Sequence, residues 1–142
     1  MDFSGTKIIV RYAETDQMGV AHHSVYPIWY EAARTEYIKT FGMSYSQMEK
    51  RGIMLPLVEL TSRYLRPAHY EDELTVTVSV RLLTRVKIEF YYEIRNQEKE
   101  LLNTGTTLHA WTDLNLKPMN LQKKFPEIYD LLQQAKSGGE KA

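Results

Sequence analysis

From Leu74 to Ile94 the chain alternates apolar and polar residues with little interruption: Leu74, Val76, Val78, Val80 and Leu82, then Val86, Ile88, Phe90, Tyr92 and Ile94. A two-residue period places these side chains on one face of each strand. The chain must therefore build a sheet with one buried and one solvated face. The link between the two runs is far too short for a helical crossover, so the strands pair antiparallel. Leu55 to Arg66, interrupted early by Pro56, and Leu101 to Trp111, with Gly105 inside, read as two more strands. Lys7 to Tyr12 reads as a short fifth strand, and Asn96 to Glu100 as a polar turn.

Ahead of these strands the period changes. Val25, Ile28, Trp29, Ala32 and Ala33 recur at helical spacing, and Tyr37 and Phe41 extend the stripe. Ser24 as cap, or Pro27 in the first turn, would start this helix, and Gly42 after Lys39 would end it. Ser44 to Arg51 reads as a short helix, and Phe125 to Ala135 as a short amphipathic one. Lys136 to Ala142 is expected to be a solvated, mobile tail. The order predicts an α+β fold: a five-stranded antiparallel sheet on one main helix, in a single domain over residues 1–142. One helix covers one face and leaves strand edges open, which pairing of two copies would close.

Composition narrows the function. Lys+Arg and Asp+Glu both number 18, which argues against binding nucleic acid through bulk charge. Cysteine is absent, which excludes disulfides, thiolate metal sites and a Cys nucleophile. No apolar run approaches a membrane span, and the start MDFSGTKIIV lacks signal-peptide features, so a cytoplasmic protein is expected.

Glu14, Asp16, His22 and His23 lie in the loop just before the main helix. A helix start supplies free N–H groups and a positive dipole end, and a neighbouring carboxylate points to acyl or phosphoryl chemistry. Solvated turn residues are the plain alternative. Zinc ligation by Asp16, His22 and His23 is disfavoured because adjacent histidines rarely converge, and no metal is expected. Glu36 falls within the apolar stripe, which requires a partner, while Glu31 lies on the polar side within reach of Arg34. Arg81, Arg85 and Lys87 share parity and would line one sheet face, with Arg63 and Arg66 on the preceding strand. Such a face could hold phosphates or simply be solvated. Neither glycine-rich phosphate-loop pattern occurs, and GxSxG is absent.

Arg11-Tyr-Ala-Glu-Thr-Asp16-Gln-Met-Gly19-Val20-Ala-His-His23-Ser-Val-Tyr26, then Trp29-Tyr30-Glu31-Ala-Ala-Arg34-Thr-Glu36, resembles acyl-CoA thioesterases of the 4-hydroxybenzoyl-CoA thioesterase type, and more closely their bacterial acyl-CoA thioester hydrolases. Tyr64-Leu-Arg66-Pro67-Ala-His-Tyr70-Glu-Asp72-Glu-Leu74 and Leu116-Lys117-Pro118 extend the resemblance from about Lys7 to Pro126. It implies the hotdog fold, a long sheet wrapped around one central helix. It also implies homodimers or homotetramers with active sites between subunits. It puts the essential carboxylate on Asp16, as nucleophile or general base, and the carbonyl-polarising backbone N–H on His23. Gly19, Val20 and Tyr26 are then substrate-binding, and Arg85 and Lys87 are candidates for the CoA phosphates.

One branch of the fold instead uses a Glu on the central helix and lacks the loop Asp, so Glu31 and Glu36 are assigned structural roles here. Val25 stands where relatives often have Asn, His22 where an aromatic is common, and Lys87 where a small hydroxyl is frequent. The expected reaction converts acyl-CoA and water to a carboxylic acid and CoA, with no cofactor beyond the CoA of the substrate. The alternatives are a non-hydrolytic protein that binds acyl-CoA or acyl carrier protein, and a hotdog hydratase, whose His and carboxylate sit on a different segment.

Overall fold

The alternating runs form the middle of the sheet. In the computed structural model, which describes residues 3–141, β1 (Thr6–Ile9), β2 (Leu57–Tyr64), β3 (Glu73–Leu83), β4 (Lys87–Arg95) and β5 (Leu101–Ala110) pair antiparallel in the order β1-β3-β4-β5-β2. Leu74, Val76, Val78 and Val80 of β3 and Ile88, Phe90, Tyr92 and Ile94 of β4 face the core. The expected alternation fails at Leu82. The β3–β4 register shifts between Val80 and Leu82, so Leu83 takes the buried place and Leu82 is exposed. The same bulge breaks the expected common face of Arg81, Arg85 and Lys87. Arg81 lies 4.0 Å from the centre of the Tyr91 ring, Arg85 sits in the β3–β4 turn, and Lys87 opens β4. Val86 is in that turn and exposed. The first strand is also shorter than expected: Tyr12 belongs to a 3-10 turn over Tyr12–Glu14.

A 3-10 turn over His23–Val25 runs directly into α1 (Tyr26–Lys39), with Pro27 in its first turn and Gly42 just past its end. The helix lies on the inner face of the sheet, the hotdog arrangement that the resemblance implies. Its buried face is Tyr26, Trp29, Tyr30, Ala33, Tyr37 and Ile38. The expected stripe through Val25, Ile28 and Ala32 is rotated, and Ile28 is 60% exposed. The tyrosines cause the rotation, because each large ring is buried while its hydroxyl finds a polar neighbour. Tyr30 stacks flat on Tyr92 (centroids 4.4 Å apart, planes at 11°), and its hydroxyl bonds to Ser62 at 2.8 Å and to Asn103. Burial pushes the Tyr30 phenol up to about 12. Glu36, expected to face the core, is exposed and accepts a 2.6 Å hydrogen bond from the Thr6 hydroxyl on β1. Arg34 bonds to the Tyr92 hydroxyl rather than to Glu31.

Beyond the sheet, Ser44 caps α2 (Tyr45–Lys50) in a reciprocal pair with Gln47. After α3 (Leu121–Lys124), α4 (Pro126–Lys141) lays Ile128 and Leu132 into the core and packs against β3. Arg51 pairs with Glu127 at 2.5 Å, tying α2 to α4. The backbone of α4 continues past the expected end at Ala135. Of the expected mobile tail, Lys136 is helical and half-buried, and residues 137–142, apart from the helical backbone to Lys141, lie outside what the structure describes. Among the described residues no helix is long and apolar enough to cross a membrane.

The seat of α1 depends on Gly105. A methyl group there would collide with the ring and hydroxyl of Tyr30, which is held by Tyr92, Ser62 and Asn103 and cannot swing away. Overpacking of this kind costs about 1–3 kcal/mol. Gly105→Ala should lower the denaturant midpoint by a matching amount, with the slope of the transition unchanged.

Candidate active site

The loop between β1 and α1 closes on itself. Thr15 and Ala21 form an antiparallel bridge, the Asp16 N–H donates to the Val20 carbonyl at 2.9 Å, and the Gly19 N–H donates to the Asp16 carbonyl at 3.0 Å. Gly19 has φ +79°, a left-handed conformation that disfavours a side chain, so the glycine permits the tight return. The Asp16 Oδ1 accepts from the Met18 N–H at 2.8 Å. Among the described residues its other oxygen, Oδ2, has no hydrogen-bond partner. The carboxylate is half-buried and Gly19 is exposed beside it.

Glu14 anchors this loop to the helix. Its carboxylate is buried and takes hydrogen bonds from the Arg11 N–H (2.8 Å), the Arg11 guanidinium (3.3 Å) and the Trp29 indole (3.1 Å). Burial alone would raise its pKa, but these donors outweigh it and hold the carboxyl below its usual value. On the other side, the Ala21 N–H donates to the Ala68 carbonyl at 2.8 Å, and Val20 bridges to His69.

The first N–H groups of a helical segment have no partner within it. Here His22 Nδ1 accepts from the Ser24 N–H at 3.2 Å, and the His22 carbonyl accepts from the Val25 N–H at 3.1 Å. That leaves the His23 N–H as the unspent donor of the first turn among the described residues. The His23 carbonyl accepts from the Tyr64 hydroxyl at 3.0 Å, so the peptide is oriented by the end of β2. Tyr26 is buried below, edge-on to Trp29 and Tyr64 at centroid distances of 4.9 and 5.0 Å. Burial raises its phenol above the usual value, against the opposing effect of the Ala68 N–H.

Asp16, Gly19, Val20, His23 and Tyr26 are therefore gathered in one place. Arg85 and Lys87 are not with them. β1 delivers the loop at the Glu73 end of β3, since Ile9 pairs with Glu73, whereas Arg85 and Lys87 follow the Leu83 end. The ends of an eleven-residue strand are separated by ~33 Å. The rings of His22 and His23 lie against each other with centroids 4.0 Å apart, and His22 Nδ1 is committed to Ser24. Among the described residues no three His, Asp or Glu side chains are grouped to hold a metal ion.

A second concave region lies on the flank of α1. It is a cavity of about 330 Å³ whose lining includes Arg34, Tyr45 and His109, a trio that sequence patterns did not connect. Two cues existed: Arg34 is one helical turn beyond Tyr30, and His109 shares parity with the inward-facing Thr107 and Trp111. His109 is only 3% exposed and its Nδ1–H donates to the Leu55 carbonyl at 3.1 Å. Burial and the nearby Arg34 charge push its pKa down to about 4, against the pull of that hydrogen bond.

Residues 10–135 match the thioesterase-like superfamily. YneP of Bacillus subtilis strain 168 is 37% identical over 137 residues, covering 96% of this chain and 99% of its own. Acyl-CoA thioester hydrolase YbgC of Escherichia coli O6:H1 is 30% identical over 117 residues, covering 82% of this chain and 87% of its own. The crystal structure of the DHNA-CoA thioesterase from Staphylococcus aureus superposes with a TM-score of 0.89 at 35% identity, over 96% of this chain and 92% of that one.

The neutral His109 has a consequence for stability. The unfolded chain takes up this proton below pH about 6.5, the folded one only near pH 4, so a contribution present above that window is lost as pH falls through it. The shift corresponds to about 3 kcal/mol. Stability should fall from pH about 6.5 towards 4, and His109→Gln should flatten that part of the profile in chemical denaturation. With its closed Asp16 loop, its helix on a five-stranded sheet and a match over nearly its whole length, the chain belongs to the thioesterase-like superfamily.

Proposed function

We propose that this protein hydrolyses acyl-CoA thioesters to the free carboxylic acid and CoA. One observation carries the reading: a carboxylate with an uncommitted oxygen, in a loop locked by Glu14, precedes in the same closed loop the unspent His23 N–H at the helix start. The family membership and the named activity of YbgC support it.

Attack on the thioester carbon places negative charge on the carbonyl oxygen. An N–H fixed where that charge develops stabilises the tetrahedral intermediate, an effect of roughly 3–4 kcal/mol for such donors. The C–S bond then breaks and CoA leaves as a thiolate that takes up a proton. With Asp16 as nucleophile, Oδ2 bonds to the acyl carbon and water cleaves the resulting anhydride. With Asp16 as general base, Oδ2 takes the proton from the attacking water. Both routes use the same geometry. The oxygen of Tyr26 is buried beneath the loop, which suits a floor for the site rather than a proton donor.

The site belongs between two copies. β2 is an edge strand, and Leu57 and Val58 on it are exposed, as is Ile28 on α1. Antiparallel pairing of two β2 edges about a twofold axis would cover this strip and continue the sheet. It would also bring the Leu57 end of one β2 beside the Tyr64 end of the other, and so beside the partner's catalytic loop. Arg85 and Lys87, remote from Asp16 in their own chain, reach CoA phosphates in this reading only across such an assembly.

Asp16→Asn should reduce thiol release at least about a hundred-fold while leaving CoA-ester binding and the unfolding midpoint near those of wild type. Turnover at the wild-type rate would remove Asp16 from the mechanism. Val58→Lys, which places a charge on the open edge, should give a folded monomer in sedimentation with turnover cut more than about ten-fold. A fully active monomer would place the whole site within one chain.

A further inference from the structure

The cavity beside α1 is lined by the half-buried Arg34 and by two buried polar atoms, the Tyr45 hydroxyl and His109 Nε2, that make no well-formed hydrogen bond among the described residues. Arg34 donates to the Tyr92 hydroxyl at 3.0 Å, and among the described residues no carboxylate lies within ion-pair distance of it. The Tyr45 hydroxyl is buried beside the Arg34 guanidinium, and their interaction falls short of a well-formed hydrogen bond. His109 gives its Nδ1–H to Leu55, so its buried Nε2 is a bare acceptor without a partner. Burying such groups unsatisfied costs about 1–3 kcal/mol each. Two such atoms facing one concave region are more than packing requires. The walls around them are apolar: Ile53, Leu55 and, at the mouth, Leu116. Leu116 is 61% exposed and held at φ +63°, so an apolar side chain is presented to the opening at a backbone cost.

The cavity lies at the Leu57 end of β2, the end that twofold pairing sets beside the partner's Asp16 loop. We propose that it receives the far end of the acyl group, and that Arg34 and the Tyr45 hydroxyl select acyl groups ending in an uncharged oxygen over saturated chains of equal length. This rests on the thioesterase reading. Arg34 and Tyr45 offer donors, which a carbonyl or hydroxyl oxygen accepts and a methyl group does not. His109 Nε2 offers an acceptor that a hydroxyl can also satisfy. Glu31 and Glu49 line the same cavity with exposed carboxylates, and their charge opposes a carboxylate-tipped acyl group. A saturated chain would leave the Tyr45 hydroxyl and His109 Nε2 without a new partner. The apolar walls would accept its methylenes alone.

The experiment compares four CoA esters of equal chain length: pentanoyl, the keto-tipped levulinyl, the hydroxyl-tipped hydroxypentanoyl, and glutaryl. Thiol release is followed with wild type, Tyr45→Phe and Arg34→Met. Wild type should favour the keto and hydroxyl tips over pentanoyl by about ten-fold or more in kcat/KM, with glutaryl below both. Tyr45→Phe should narrow that preference by raising KM for the keto and hydroxyl tips more than for pentanoyl. It should also leave the unfolding midpoint equal or higher, because it deletes a buried hydroxyl that makes no well-formed hydrogen bond; a merely structural hydroxyl would lower it. Arg34→Met should abolish the preference. Equal kcat/KM for the four esters, or variants that lower all four alike, would overturn the proposal and leave the thioesterase standing. No thiol release from any ester would overturn the thioesterase reading and this proposal with it.

Discussion

The face-to-face contact between Tyr30 and Tyr92 sets the position of everything else. A helix lying on a sheet is free to roll unless something fixes its rotation. Here a ring from the helix lies flat on a ring from β4, above the one position in β5 without a side chain, and its hydroxyl is held by the edge strand and by Asn103. Once Tyr30 is seated, helical geometry dictates the rest. His23 stands two turns upstream at the open end of the helix, Trp29 turns toward Glu14, and Arg34 lies one turn downstream over the same Tyr92.

The buried polar groups fall into two populations. Glu14, Asn103 and the hydroxyls of Tyr30, Tyr92 and Thr107 are engaged with partners and hold elements together. The Tyr45 hydroxyl and His109 Nε2 meet the half-buried Arg34 at one cavity, and neither of these two atoms makes a well-formed hydrogen bond. A network that is fully satisfied rigidifies a core, whereas one that is partly satisfied needs a further partner. The division suits the two tasks proposed for the molecule, a rigid loop to present Asp16 and a separate recess for the acyl group.

Much of this was legible in the chain. The alternation through β3 and β4 announced an antiparallel sheet with one buried face, and the residues from Asp16 to Tyr26 marked the loop that the fold places against the helix start. What failed did so for physical reasons. The phase of α1 was misjudged because Val25, Ile28 and Ala32 look more apolar than Tyr26 and Tyr30, yet a tyrosine buries more area once its hydroxyl is satisfied. The slip at Val80 and Leu82 has no local cue, because a bulge is a relation between two strands. Glu36 looked inward-facing on the same misjudged phase. The cavity was hidden for a different reason: its polar residues come from α1, α2 and β5, and only the tertiary structure brings them together.

The chain contains two tryptophans, and they stand in very different surroundings. The indole of Trp29 is hydrogen-bonded to the Glu14 carboxylate at the base of the Asp16 loop. That of Trp111 is buried with its N–H unbonded, two residues along the strand direction from His109. Indole emission responds to local charge and polarity, so the Asp16 loop and the strand that bears His109 each carry their own optical reporter. An anionic neighbour and an apolar pocket shift the two spectra differently. A change at the loop and a change at the recess could thus be watched separately in the same unlabelled molecule.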